Sequence, residues 1–266
     1  MDSETTSATS LEAVLELTEG NAEAALRSAG SLTRELRKAK AAAASGQVRE
    51  LRRAADAAAV LAKDLAAAVQ QTRTGLAIDE SSYLASGDYA KELLAKAAER
   101  GLPVFEEDDR LFCYPSIIRI LPADSVLEID RKRERRLRPS FLLELLADRQ
   151  ARPTRFRPEH FLESLAKGYD LVVARGGKKA DAVVPLQDIW GVLTLLPGQA
   201  KEYTRPEFAR DLYQLDQSGV QQTKDGRTIR LHASSGTRSA GVLRTVSRSG
   251  QLQLYWGVSF SSGTQS

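Results

Sequence analysis

The sequence predicts an α+β protein: an N-terminal alanine-rich helical hairpin or coiled coil, then a mixed body with winged-helix-like modules. Three observations carry that prediction. Up to about residue 77, apolar and alanine residues recur every three to four positions, the period of a helical seam. Beyond that point the period falls to two, or to short apolar runs bounded by turn residues, as strands require. Further on, an Asp-Gly turn signal at Lys224-Asp225-Gly226 closely follows a helix that opens with a capping box.

Residues 1–9, rich in Ser and Thr, read as a disordered leader. The arm, 10–77, follows. From Leu11 a heptad repeat places one seam on Leu11, Thr18, Ala25, Leu32 and Ala39, and the other on Leu15, Ala22, Ala29, Leu36 and Ala43. A second repeat runs through Val48, Ala55, Ala62, Val69 and Leu76, interleaved with Leu51, Ala58, Leu65 and Thr72. The registers break at Ser45-Gly46, so 11–44 and 47–76 are expected to fold back as an antiparallel hairpin. The alternative is one long helix that dimerises in parallel. Gly20 and Gly30 are the expected weak points of the first helix.

The next stretch, 86–175, reads as a basic α+β module. A helix over Asp88–Arg100 is capped by Ser86 and stopped by Gly101. Strands are expected at Pro103–Glu106, Arg110–Tyr114, Ile117–Leu121 and Ser125–Ile129, and helices after Pro139 and Pro158. Residues 176–266 read as the winged-helix-like module. It comprises a turn at Gly176-Gly177-Lys178-Lys179, a strand at Ala182–Pro185 and a helix at Leu186–Leu196. Thr204-Arg205-Pro206-Glu207 then caps a helix that buries Phe208, Leu212 and Leu215. Val220–Thr223 and Arg227–Leu231 flank the Asp-Gly turn as a wing, and Val242–Val246 pairs with Gln251–Phe260 across Ser249-Gly250.

Composition bounds the function. No apolar run approaches the roughly 18 residues of a membrane span, and the acidic Met1-Asp2-Ser3-Glu4 start lacks a signal-peptide layout. The one cysteine, Cys113, lies between Phe112 and Tyr114 and reads as core; a single thiol forms no internal disulfide, which points to the cytoplasm. With two histidines and one cysteine, no ordinary zinc site is expected, and no cofactor is implied. His160 and Glu163 share a helix face without a second ligand pair, and His232 has no evident partner in the sequence. The net charge of +3 hides an asymmetry: residues 1–130 carry 15 Lys/Arg against 22 Asp/Glu, and residues 131–157 carry 10 against 3.

That basic segment holds the candidate nucleic-acid contacts: Arg131, Lys132, Arg133, Arg135, Arg136 and Arg138, extended by Arg152, Arg155 and Arg157, with Lys224 and Arg227 on the wing. The planar guanidinium fork suits bidentate contact with phosphate oxygens, which supplies affinity without base readout. The competing reading is a solvated face, or one that pairs with the acidic arm. Asp124, Asp130 and Lys132 loosely resemble the acidic pair and lysine of PD-(D/E)xK nucleases, in which carboxylates hold Mg²⁺, although the spacing here is short. The preferred expectation is a non-enzymatic subunit. Its basic body would dock on DNA or another polyanion, and its arm would recruit copies of itself or a larger partner through Leu32, Leu36, Leu51 and Leu65. The alternatives are a protein–protein adaptor without nucleic-acid binding and, third, a metal-dependent nuclease.

Overall fold

The structure is a computed structural model describing residues 10–107, 109–152, 155–232 and 241–262. The expected leader at 1–9 lies outside the described residues. The chain is of mixed helix and sheet and forms two compact units that interleave in sequence. One comprises residues 1–93, 121–126 and 135–142; the other comprises 94–120, 127–134 and 143–266.

The first unit is dominated by helices α1 (Leu11–Ser45) and α2 (Val48–Gly75), which form the expected hairpin. Gly46 turns the chain at φ 72°, a left-handed conformation that costs glycine little. Gly75, at the end of α2, lies beside Thr18 and Asn21 near the start of α1, as antiparallel pairing requires. Helix α1 runs unbroken through Gly20 and Gly30, which the sequence had marked as weak points. Both face open space, so their cost is backbone entropy, which the long pairing with α2 absorbs.

Burial also corrects the register. The covered positions of α1 follow Leu11, Val14, Thr18, Asn21, Ala25 and Ser28 and continue through Leu32, Glu35, Ala39 and Ala42; those of α2 follow Leu51, Ala54, Ala58, Leu61 and Leu65. In each helix one expected seam is right, and the other stands one residue too late. Alanine flanks both choices, so apolar periodicity alone could not separate them.

Two carboxylates lock the base of this unit. Glu92, on α4 (Asp88–Glu99), accepts from the backbone N–H groups of Leu11 and Glu12 at 2.9 and 3.0 Å, occupying donors that a helix start leaves unsatisfied. Tyr83, on the short α3 (Glu80–Ala85), donates to the same carboxylate at 2.6 Å. Glu12 in turn accepts from the Ser140 N–H at 2.7 Å, in the first turn of α5 (Pro139–Ala151), and from Arg138 Nε at 2.8 Å.

The second unit holds most of a five-stranded sheet in sequence order: β1 (Phe105–Glu107), β2 (Arg110–Cys113), β3 (Ser116–Leu121), β4 (Val126–Ile129) and β5 (Lys132–Glu134). The sequence anticipated the first four strands. It missed β5, because Lys132-Arg133-Glu134 carries no apolar residue to reveal an alternation.

The rest of this unit runs α6 (Pro158–Gly176), β6 (Val184–Pro185), α7 (Leu186–Leu193), the short α8 (Gln199–Glu202), α9 (Arg205–Ser218) and β7 (Arg227–His232). A hairpin, β8 (Leu243–Val246) with β9 (Leu252–Tyr255), precedes β10 (Gly257–Ser262). The last strand pairs antiparallel with both β6 and β7, giving the sheet order β6-β10-β7. Leu162, Leu165 and Tyr169 of α6 join Ile189, Phe208, Leu212, Val258 and Phe260 in one core.

Two strand expectations need correction here. Gln251–Phe260 is not one strand: it divides at Trp256, and its halves join different sheets. Val220–Thr223 is not a full wing strand either. It meets β7 through the single bridge Gln222–Thr228, although the turn between them forms as expected with Gly226 at φ 84°. The capping box is present: Glu207 accepts from the Thr204 N–H at 2.8 Å and opens α9.

Candidate functional site

The basic run is divided between the two units. Residues 131–134 belong to the sheet-bearing unit and 135–138 to the helical unit. On β5, successive side chains point to opposite faces, which sets Arg133 apart from Lys132. Arg131 donates to Glu202 at 2.5 Å and lies 3.5 Å from Glu207. Arg138 pairs with Glu12 and Glu19 of α1, and Arg136 stacks 4.2 Å above the Phe141 ring. For Arg138 the pairing with the acidic arm is therefore realised. Lys132, Arg133 and Arg135 are exposed, as are Arg152, Arg155 and Arg157.

On the expected wing, Lys224 is exposed while its backbone N–H donates to Glu163 at 2.7 Å. The Arg227 guanidinium grips both oxygens of Asp170 at 2.6 and 3.2 Å and bonds Asp225 at 2.8 Å. Its fork is committed within its own unit. Helix α9 buries Glu207, Phe208, Ala209, Leu212, Tyr213, Gln214 and Leu215, which leaves few of its side chains for an external surface.

Asp130 accepts from three donors of the second unit. It occupies the β4–β5 turn with Arg131, at φ 47° and 68°, two successive left-handed residues of the kind tight hairpins demand and usually fill with Asn or Gly. Its Oδ1 accepts from the Ile117 N–H at 3.1 Å and from Arg210 Nη1 at 3.0 Å, while Oδ2 accepts from Arg149 Nη1 at 3.1 Å. The carboxylate that a nuclease reading needs for Mg²⁺ is thus engaged on both oxygens by cations. Among the described residues, no group of three or more His, Cys, Asp or Glu gathers around a common point. His160 is exposed, and His232 Nε2 lies 2.9 Å from the Ser259 hydroxyl, a partner on β10 that its sequence neighbours could not reveal. Cys113 is buried in the core as expected.

The arm presents a different kind of surface. With the buried positions of each helix labelled a and d of the heptad, Leu15, Ala22, Ala29, Leu36 and Ala43 become the e positions of α1. Val48, Ala55, Ala62, Val69 and Leu76 become those of α2, with Leu76 just beyond its end. These are the two rows, one in each helix, that the sequence assigns to a seam and the hairpin leaves outside it. Of the four expected seam leucines, Leu32, Leu51 and Leu65 are half-buried within the hairpin, whereas Leu36 is exposed.

Antiparallel helices carry their e positions together on one flank and their g positions on the other. The g flank is recognisable as a shallow groove near the tip, lined by Lys38 and Ser45 of α1 and Glu50 and Ala57 of α2. The e flank lies opposite it and contains no charged or polar residue. The two flanks differ in kind.

Among the described residues, no helix is long and apolar enough to cross a membrane. Compared with known proteins, the chain matches no family model, no curated protein and no solved structure.

Proposed function

We propose that this protein is a non-enzymatic adaptor whose helical arm is its main docking element. The observation that carries this reading is the wholly apolar e flank. A two-stranded hairpin needs apolar residues at a and d, and a further apolar row at e is the pattern of helices that join a larger bundle. The engagement of Asp130 by Arg149 and Arg210 supports a structural rather than a catalytic task for that acid. The body is read as a winged-helix-like module spanning 158–262. This is supported by the chain order of α6, β6, α7, α9, β7 and β10, with α8 and the β8–β9 hairpin inserted, and by the pairing of the strand between the first two helices with the last strand. Helix α9 corresponds to the recognition helix of such a module and is largely buried, which favours protein contact over base readout.

The test is quantitative cross-linking and co-purification from the native cell. The wild type is compared with a Leu36→Lys/Val69→Lys variant, whose changes fall on exposed positions. Loss of arm-dependent partners, with helicity unchanged, supports the adaptor reading; an unchanged partner set refutes it.

A second reading keeps the polyanion, favoured by the exposed Lys132, Arg133, Arg135, Arg152, Arg155 and Arg157. Fluorescence anisotropy with a labelled DNA duplex across a salt series tests it. Phosphate contacts predict affinity that falls steeply with salt and weakens when Arg152, Arg155 and Arg157 become Ser. Absence of binding at low salt removes this reading for duplex DNA.

A further inference from the structure

We propose that the partner of the arm is a second copy of this chain, docked e flank to e flank with the two hairpins antiparallel. This rests on the reading of the arm as the docking element and names its occupant.

The flank has the apolar content for such a contact. Toward the hairpin tip and along α2 its larger side chains stand well out: Leu36 is 53% exposed, Val48 56%, Val69 53% and Leu76 43%. Alanines lie between them, so a second pair of helices can approach closely while the branched side chains interdigitate. Ala59 and Ala66, on the adjoining row of α2, are also exposed and widen the apolar strip at its middle, with Arg52 and Arg73 bounding that row on either side. A two-fold axis brings one such surface onto itself, because an isologous contact uses the same patch twice.

Charge selects both the partner and the direction. The first part of α1, residues 11–25, carries Glu12, Glu16, Glu19 and Glu23 and no Lys or Arg. The second part, 26–45, carries Arg27, Arg34, Arg37, Lys38 and Lys40 against Glu35. Near the tip, α2 adds Arg49, Arg52 and Arg53 against Glu50 and Asp56. Each hairpin is therefore acidic at its base and basic at its tip. Two copies in the same direction would place basic tip on basic tip. Two copies in opposite directions place acidic base beside basic tip at both ends, so the arm is electrostatically complementary to itself in reverse. Glu12 and Glu19 already pair with Arg138 and Glu23 lies 3.7 Å from Arg27, so the complement between copies is one of net charge along each arm, with Glu16 the acid of the base outside those pairs.

The proposal is tested on the full chain by light scattering coupled to size exclusion. The wild type is expected at twice the 29.1 kDa monomer mass. A Leu36→Glu/Val69→Glu variant is expected to lose the dimer peak at the same concentration, with its far-UV helicity intact. Direction is read by pulsed electron–electron double resonance on a spin label at Ser45→Cys, near the tip and on the opposite flank. The tips of an antiparallel pair are separated by roughly 40 Å, the length of about 28 helical residues, whereas those of a parallel pair adjoin.

A monomeric wild type, a dimer that survives the double substitution, or a label separation below about 20 Å overturns the proposal. If the wild type is monomeric while Leu36→Lys/Val69→Lys still strips partners in the cell, self-pairing fails and the adaptor reading stands.

Discussion

Arg210 Nη1 donates to Asp130 Oδ1 at 3.0 Å while Arg149 Nη1 holds Oδ2 at 3.1 Å, so one carboxylate ties α5 and α9 to the β4–β5 turn. All three side chains are partly covered, where a charge-assisted bond outweighs its solvated alternative. Asp130→Ala should therefore destabilise the second unit by about 2 kcal/mol, since two guanidinium groups and the Ile117 N–H lose their acceptor. Asp130→Asn should cost roughly half as much, because Asn tolerates the left-handed conformation and still accepts a hydrogen bond. Urea unfolding followed by tryptophan fluorescence reads this unit selectively, because Trp190 and Trp256 both lie in it. No measurable shift for Asp130→Ala would show the cluster to be energetically idle.

Glycines in helices should divide by environment. Gly20 and Gly30 face open space inside α1, so Gly20→Ala and Gly30→Ala should each stabilise the arm by about 0.5–1 kcal/mol. Gly168, inside α6, is the opposite case: an added Cβ would stand 2.8 Å from Ile189 Cγ2. Gly168→Ala should destabilise by about 1–3 kcal/mol through overpacking of α6 on α7. Thermal melts by circular dichroism check the first pair, and tryptophan fluorescence checks the third variant.

Acid should loosen the base of the hairpin. Burial pulls the Glu12 carboxyl upward, but hydrogen bonds from Arg138 and Ser140 prevail and hold it below the ordinary glutamate value of 4.5. Burial likewise acts on Glu92, and its bonds from Ser10, Tyr83 and the Glu12 and Leu11 amides again prevail. A depressed folded-state value stabilises fully above the unfolded-state one, and that stabilisation is lost as pH falls through the folded value. The melting temperature of the helical signal should hold steady between neutral pH and pH 5, then drop below about 4.5. Glu92→Gln should lower the plateau and flatten the acid slope.

Cys113 should be chemically silent while the protein is folded. It is 1% exposed, and burial pushes its thiol up to about 12, far above the pH at which thiolate reagents are used. A colorimetric disulfide reagent at pH 8 should register no thiol in native buffer and one per chain in urea. Rapid reaction of native protein would place Cys113 at the surface.

Much of this architecture follows from local chemistry alone. The heptad spacing and Gly46 dictate two long helices and the turn between them. Thr204 with Glu207 dictates where α9 starts, and Asp225-Gly226 dictates a turn before β7. These features need only neighbours in sequence, because capping, left-handed glycine and helical period act over a few residues. Three-dimensional packing selected the rest. It chose Glu35 over Leu36 and Ala54 over Ala55 for the seam, a choice between adjacent positions that only the facing helix can make. It split Gln251–Phe260 at Trp256, since strand partners are remote in sequence. It also divided the basic run, which reads as one patch along the chain. Arg131 was drawn to Glu202, Arg138 to Glu12 and Arg227 to Asp170, each by an acid at least 57 residues distant. A charge's partner depends on which acid the fold brings within a few ångströms, and sequence spacing carries no record of that distance.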